Sequence, residues 1–113
     1  MASDVQTYNR ATAPAANTVL ADTGALLPGV YEVRVEVGTD DSAAAGKYIE
    51  VQHRDSGNAT TLHGKLCPAP AHDTYLVARM TIADGERIRC VSGPTAAVAA
   101  TIWTTDIRVR PVS

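Results

Sequence analysis

The run Tyr31-Glu32-Val33-Arg34-Val35-Glu36-Val37 alternates apolar and charged residues without a break. In a β-strand successive side chains point to opposite faces, so this order puts Tyr31, Val33, Val35 and Val37 on one side and every charge on the other. A helix would scatter the same residues around its circumference. The run therefore commits to a strand with one face in a core and one in water, as antiparallel sheets have. Pro28-Gly29 opens it and Gly38-Thr39-Asp40-Asp41-Ser42 closes it, both with turn chemistry.

The pattern recurs along the chain. Lys47 to Arg54, Ala59 to His63, Thr74 to Ile82 and Arg87 to Val91 read as strands, divided by Asp55-Ser56-Gly57-Asn58, by Cys67-Pro68-Ala69-Pro70 and by Ala83-Asp84-Gly85-Glu86. A short strand over Thr18 to Asp22 and two more over Ala97 to Trp103 and Asp106 to Val112 bring the count to about eight. Short strands with a turn every eight to twelve residues specify an all-β chain, an antiparallel β-sandwich or jelly-roll-like domain. The expected core is Tyr31, Val33, Val35, Ile49, Val51, Leu76, Met80, Ile82, Ile88, Val98 and Ile102.

Residues 1–17 are rich in Ala, Thr, Ser and Asn and hold no sustained period, so they read as an extended N-terminal arm, with a domain over 18–113. Val5 and Tyr8 are apolar anchors by which such an arm could lie along a neighbour, and Pro14 favours an extended backbone. Nineteen alanines and no phenylalanine leave few large core fillers. A buried Val or Leu is worth roughly 1.5–3 kcal/mol, about the entropy of ordering one residue. Burial between identical subunits is the simplest remedy, and Val77 and Val91 lie on strand faces with no obvious cover within the chain. The composition thus points to a homo-oligomer.

A net charge of −2 excludes a dominant basic surface, so no nucleic-acid partner is expected. No apolar run reaches eighteen residues, and Met1 to Arg10 lacks the basic-then-apolar order of an export signal, so neither a membrane partner nor a signal peptide is expected. Cys67 and Cys90 then read as free thiols. His53, His63 and His72, with Cys67 and Asp73, show no HxH, HxxxH or CxxC pair that would seed a metal site. Ser56-Gly57 and Ser92-Gly93 lie in turns without a nucleophile elbow, and no glycine loop cradles phosphate. Asp40-Asp41-Ser42 lacks the later glycine and glutamate of a calcium loop and reads as a solvated turn. Asn58-Ala59-Thr60 is a glycosylation sequon without an export route. Arg79, Arg87, Arg89, Arg108 and Arg110 suggest a cross-strand charged face or subunit salt bridges. No enzyme and no cofactor are expected.

The segments Leu20-Ala21-Asp22, Leu27 to Val35, Ile49 to Asp55 and Asp84 to Arg89 together resemble small all-β structural proteins of tailed-bacteriophage virions, in particular capsid decoration (cement) proteins. The resemblance spans about Thr18 to Pro111 as strands and turns and carries no catalytic residue. It implies a jelly-roll-like domain, commonly a trimer, made in the host cytoplasm and seated on the capsid exterior, where it clamps the major capsid protein. The arm, through Val5, Tyr8 and Pro14, would suit that contact, with the loops around Asp40 and Pro70 as the other candidates. A carbohydrate- or receptor-binding module of a tail or fibre is the alternative, with Tyr48, Tyr75 and Trp103 as aromatic platform. A small hydrolase or isomerase lacks any convergent polar constellation.

Overall fold

The computed structural model describes residues 4–42, 44, 46–55, 57, 60–68 and 74–112. Eight strands follow one another: β1 (Val5–Thr12), β2 (Val19–Asp22), β3 (Gly29–Thr39), β4 (Ile49–Arg54), β5 (Thr60–Leu66), β6 (Thr74–Ile82), β7 (Arg87–Ser92) and β8 (Ile102–Pro111). They form two four-stranded sheets in the orders β1-β8-β3-β6 and β2-β7-β4-β5, with every pairing antiparallel. Only β4 and β5 are joined within one sheet; each other connection crosses between sheets, which is jelly-roll winding. No helix among the described residues is long and apolar enough to cross a membrane.

The core lies between the sheets, where period-two faces meet. Tyr31, Val33, Val35 and Val37 of β3 are fully buried, with Ile49 and Val51 of β4, Met80 and Ile82 of β6 and Ile88 and Cys90 of β7. Leu76 packs against this cluster while half-buried. The tyrosine hydroxyl of Tyr31 donates to the Leu27 carbonyl at 2.7 Å, so its ring is buried without orphaning its polar end. Between β4 and β5 the register shifts at Val51/Gln52, leaving His63 as the extra residue of a bulge. Beside it, Gly64 has no side chain where the Leu76 methyl sits, so β5 can approach β6 closely.

Two expectations need correction. The segment read as an arm is extended, but Val5–Thr12 pairs with β8 from Val5↔Val109 to Thr12↔Ile102 and belongs to the first sheet. Its inward residues are Val5, Thr7, Asn9 and Ala11, two of them polar, so the alternation is real but unlit by hydrophobicity. At the other end of the chain one strand replaces two. Ala97 to Thr101 is loop, and β8 turns its odd-numbered residues inward, burying Trp103, Thr105, Ile107 and Val109. Val98 is instead 43% exposed and Ile102 sits half-buried on the outward side. Ala100, in the turn just before β8, has a left-handed φ of 65°.

Trp103 Nε1 and Thr105 Oγ1 are buried with no hydrogen-bond partner among the described residues. A buried, unsatisfied hydroxyl costs about 1–3 kcal/mol, and valine has nearly the same shape as threonine. Thr105→Val is expected to raise the unfolding free energy by about 1 kcal/mol, seen as a higher urea midpoint at unchanged slope.

Candidate functional site

Strand direction gathers four connections at one end of the sandwich. Residues 13–18, 40–48 and 93–101 lie there, and the β5–β6 connection leaves from Leu66 and returns at Thr74 on the same end. Backbone bonds knit the first three of these together: Ala13 N–H to Thr101 O at 2.7 Å, Ala97 N–H to Pro14 O at 3.0 Å, Asn17 N–H to Gly93 O at 3.0 Å and Gly93 N–H to Tyr48 O at 2.8 Å. A side chain at Gly93 would collide with the Tyr48 ring and carbonyl, both 2.9 Å from the position its Cβ would take. Ser92 is a brace: its buried hydroxyl donates to Ala15 O at 2.7 Å and accepts from Thr18 N at 2.8 Å.

Asp41 is the buried centre of this end. It is 1% exposed, its carboxylate lies 3.4 Å from Lys47 Nζ, and it accepts from Val98 N–H at 3.2 Å. The solvated turn expected at Asp40-Asp41-Ser42 is thus a buried ion pair at its second residue. Asp40 is exposed but engaged, since its N–H donates to Ile102 O at 3.1 Å and its carboxylate accepts from Ile102 N–H. Ala13, Asn17 and Ala100 all have left-handed φ, at 46°, 55° and 65°. Each is costly for a residue with a side chain, and all three lie at this end. The loops hold a defined shape and leave Val98 projecting from it.

The second candidate surface is the outward face of β1-β8-β3-β6. Register places Tyr8, Asp106, Glu36 and Tyr75 in one row across the sheet and Gln6, Arg108, Arg34 and Val77 in the next. Tyr8 is 60% exposed, Tyr75 49% and Val77 61%. The Arg34 guanidinium lies over the Tyr75 ring at 4.7 Å. Gln6 donates to both oxygens of Asp106 at 3.2 and 3.3 Å, and Arg110 meets Glu32 at 3.2 Å. A shallow cleft of about 440 Å³ opens among Asp4, Gln6, Glu32, Arg34, Arg108 and Arg110.

The five arginines of the expected charged face therefore divide between the two sheets. Arg79, Arg108 and Arg110 lie on this face, whereas Arg87 and Arg89 lie on β7 and close on Asp22 at 3.5 and 3.0 Å. Burial pushes the Asp22 carboxyl up, but the Gly24 N–H at 2.8 Å and then Arg89 and Arg87 outweigh it and hold the group below its ordinary range. Glu86 is also lowered, first by the Ala83 N–H at 2.7 Å and then by His53 at 2.9 Å. A carboxyl lowered in the folded state adds stability that is present above its unfolded value and is lost as pH falls through its folded value. The urea midpoint is expected to hold from neutrality to about pH 5 and to drop below about pH 4. Asp22→Asn should lower the neutral midpoint and flatten that drop.

Of the residues expected to contact a partner, Tyr8 is on the outward face and Val5, three residues earlier and so of opposite parity, turns to the core side. Pro14 is buried within the loop end and Asp40 sits at its rim. Pro70, like His72, Asp73, Ser56 and Asn58, lies outside the described residues. Trp103 is 1% exposed and cannot serve as part of an aromatic platform; Tyr48 is half-buried under Lys65, 4.6 Å from its ring. No group of three or more metal-ligating side chains occurs among the described residues. Both cysteines are free, Cys67 exposed and Cys90 buried, with burial pushing the Cys90 thiol up to about 12. Native protein at pH 8 is expected to take up one equivalent of a thiol reagent quickly and the second only in denaturant.

No protein-family model matches the chain, and no curated protein matches it in sequence. Solved structures share its fold. The globular domain of zebrafish complement 1qA protein is 8% identical with a TM-score of 0.64, covering 98% of each chain. The vertex protein P5 of PRD1 is 11% identical with a TM-score of 0.54 over 99% of each. A CBM4 structure is 18% identical with a TM-score of 0.53 over 93% of this chain and 71% of the other. At these identities the likeness establishes a jelly-roll or β-sandwich fold.

Proposed function

We propose that this chain is a non-enzymatic structural protein of a tailed-bacteriophage virion, a decoration protein that sits on the exterior of the head and grips the major capsid protein through its loop end. The observation that carries this reading is that end itself: the connections over residues 13–18, 40–48 and 93–101, braced by Asp41, Ser92 and left-handed residues into one shaped surface, with Val98 projecting. Such bracing spends stability on the geometry of a surface, as a docking element requires. The strand-and-turn resemblance supports the virion setting, and the likeness to a vertex protein supports a fold used in virions. The role is mechanical. Burial across neighbouring capsid subunits raises the free energy needed to part them, and several copies acting together multiply the effect. By the same resemblance the protein acts as a homo-oligomer, a trimer.

Cosedimentation with expanded heads that lack the protein tests this. The parent is expected to bind to saturation, and Val98→Glu, a change at an exposed side chain, to bind at least tenfold more weakly with unchanged melting. Failure of the parent to bind would overturn the reading. The alternative, a sugar- or receptor-binding module, is favoured by the exposed rings of Tyr8 and Tyr75 and by the carbohydrate-module likeness. Binding on a glycan array, lost in Tyr75→Ala, would select it.

A further inference from the structure

We propose that the cleft on the outward face of β1-β8-β3-β6 binds a small acidic sugar, its single carboxylate held between Arg34 and Arg108 and its hydroxyls by Gln6, Glu32 and Asp4. Arg34 of β3 and Arg108 of β8 are direct cross-strand partners on that face. Like charges set opposite one another destabilise a sheet, and an anion lying between them removes the repulsion. Both side chains keep donors for such an anion. The Arg34 guanidinium rests on the Tyr75 ring at 4.7 Å and enters no ion pair among the described residues. Arg108 reaches Asp106 through Nε at 3.5 Å, beyond ordinary hydrogen-bond length, and its side chain is 62% exposed. Guanidinium forks grip a carboxylate by paired N–H bonds, which a lysine ammonium cannot do.

The rest of the lining narrows the ligand. Arg110 is already matched by Glu32 at 3.2 Å and Asp4 adds a second acid, so three arginines against two carboxylates leave one positive charge. A polyanion such as a triphosphate would also meet Asp106 and Glu36, which stand in the next row. A ligand with one negative charge and several hydroxyls meets no such penalty, because carboxylates accept from hydroxyl donors. Gln6 turns its amide nitrogen to Asp106 and keeps its oxygen as a further acceptor. The cleft's volume, about 440 Å³, is that of a small-molecule site, for which about 300–1,000 Å³ is usual. It lies at the start of β1 and the end of β8, whereas the docking loops leave β1 after Thr12 and enter β8 at Ile102. The inference is therefore independent of the docking reading, and an occupied cleft is expected to leave head binding unchanged.

Amide chemical-shift titration of the isotope-labelled full chain with glucuronate, glucose and inorganic sulfate tests it at low ionic strength. Glucuronate is expected to bind and to shift amides around Gln6, Arg34 and Arg108. Glucose, which has the ring without the carboxylate, and sulfate, which has the charge without the hydroxyls, are each expected to bind at least tenfold more weakly. Arg34→Gln and Arg108→Gln should each weaken glucuronate binding at least tenfold with unchanged melting, whereas Arg79→Gln, on the same face outside the cleft, leaves it intact. Asp106→Asn keeps an acceptor for Gln6 but removes the charge that competes for Arg108. It is expected to tighten binding at least threefold, a gain that damage to the fold would not produce. Should Arg34→Gln fail to fold, Arg34→Lys takes its place, keeping the charge without the fork, with at least threefold weakening expected. No shift with about 20 mM glucuronate overturns the proposal, as do glucose or sulfate binding as tightly, or folded arginine variants that bind like the parent. A parent that binds glucuronate but not heads would sustain this inference and sink the docking reading.

Discussion

A chain lacking residues 2–12 is expected to show no cooperative unfolding transition and to precipitate on expression. β1 pairs with β8 along its whole length, so its removal takes away an entire ladder and bares the edge of β8. Each backbone hydrogen bond is worth about 0.5–1.5 kcal/mol net. Val5 and Ala11, which pack on the core, leave with it, and Ala11 is the register partner of the buried Trp103. The sum is of the order of the entire stability of a domain this size, about 5–15 kcal/mol. A free arm would behave oppositely, with the truncated protein melting like the parent. That outcome, read by circular dichroism against temperature and urea, would remove β1 from the domain.

Val35→Asp is expected to abolish folding, while Arg34→Asp one residue away leaves a cooperative, near-parental transition. Val35 is fully buried in β3, an inner strand, between Leu76 of β6 and Ile107 of β8. Placing a carboxylate there costs several kcal/mol, with no partner within the layer to offset it. Arg34 points the other way, into solvent over Tyr75, and its loss removes one exposed cation–π contact of about 0.5–1 kcal/mol. The pair therefore measures strand phase directly. Comparable melting of the two variants would mean that the inward and outward faces of β3 are assigned the wrong way round.

How much could be read without coordinates varied with how strongly each segment's burial was written in hydrophobicity. β3 and the strands around Ile49, Met80 and Ile88 bury apolar residues at every second position, so their type, phase and core membership were legible from the residues alone. β1 buries Thr7 and Asn9 alternately with Val5 and Ala11, and a half-polar inner row leaves no period to see. The loop end was visible only as turn chemistry. That Asp41 is buried against Lys47, and that Pro14 and Asp40 meet there while Val5 does not, follows from which strands cross between sheets. Tyr8, Tyr75 and Val77 come from two strands at opposite edges of one sheet, and only the order β1-β8-β3-β6 puts them on one surface. Local alternation determined that this chain is built of half-buried antiparallel strands, because that pattern is satisfied within a few residues. Long-range pairing decided which strands share a sheet, and with it every surface assembled from distant residues, because backbone hydrogen bonds between strands are nearly indifferent to the side chains they bring together.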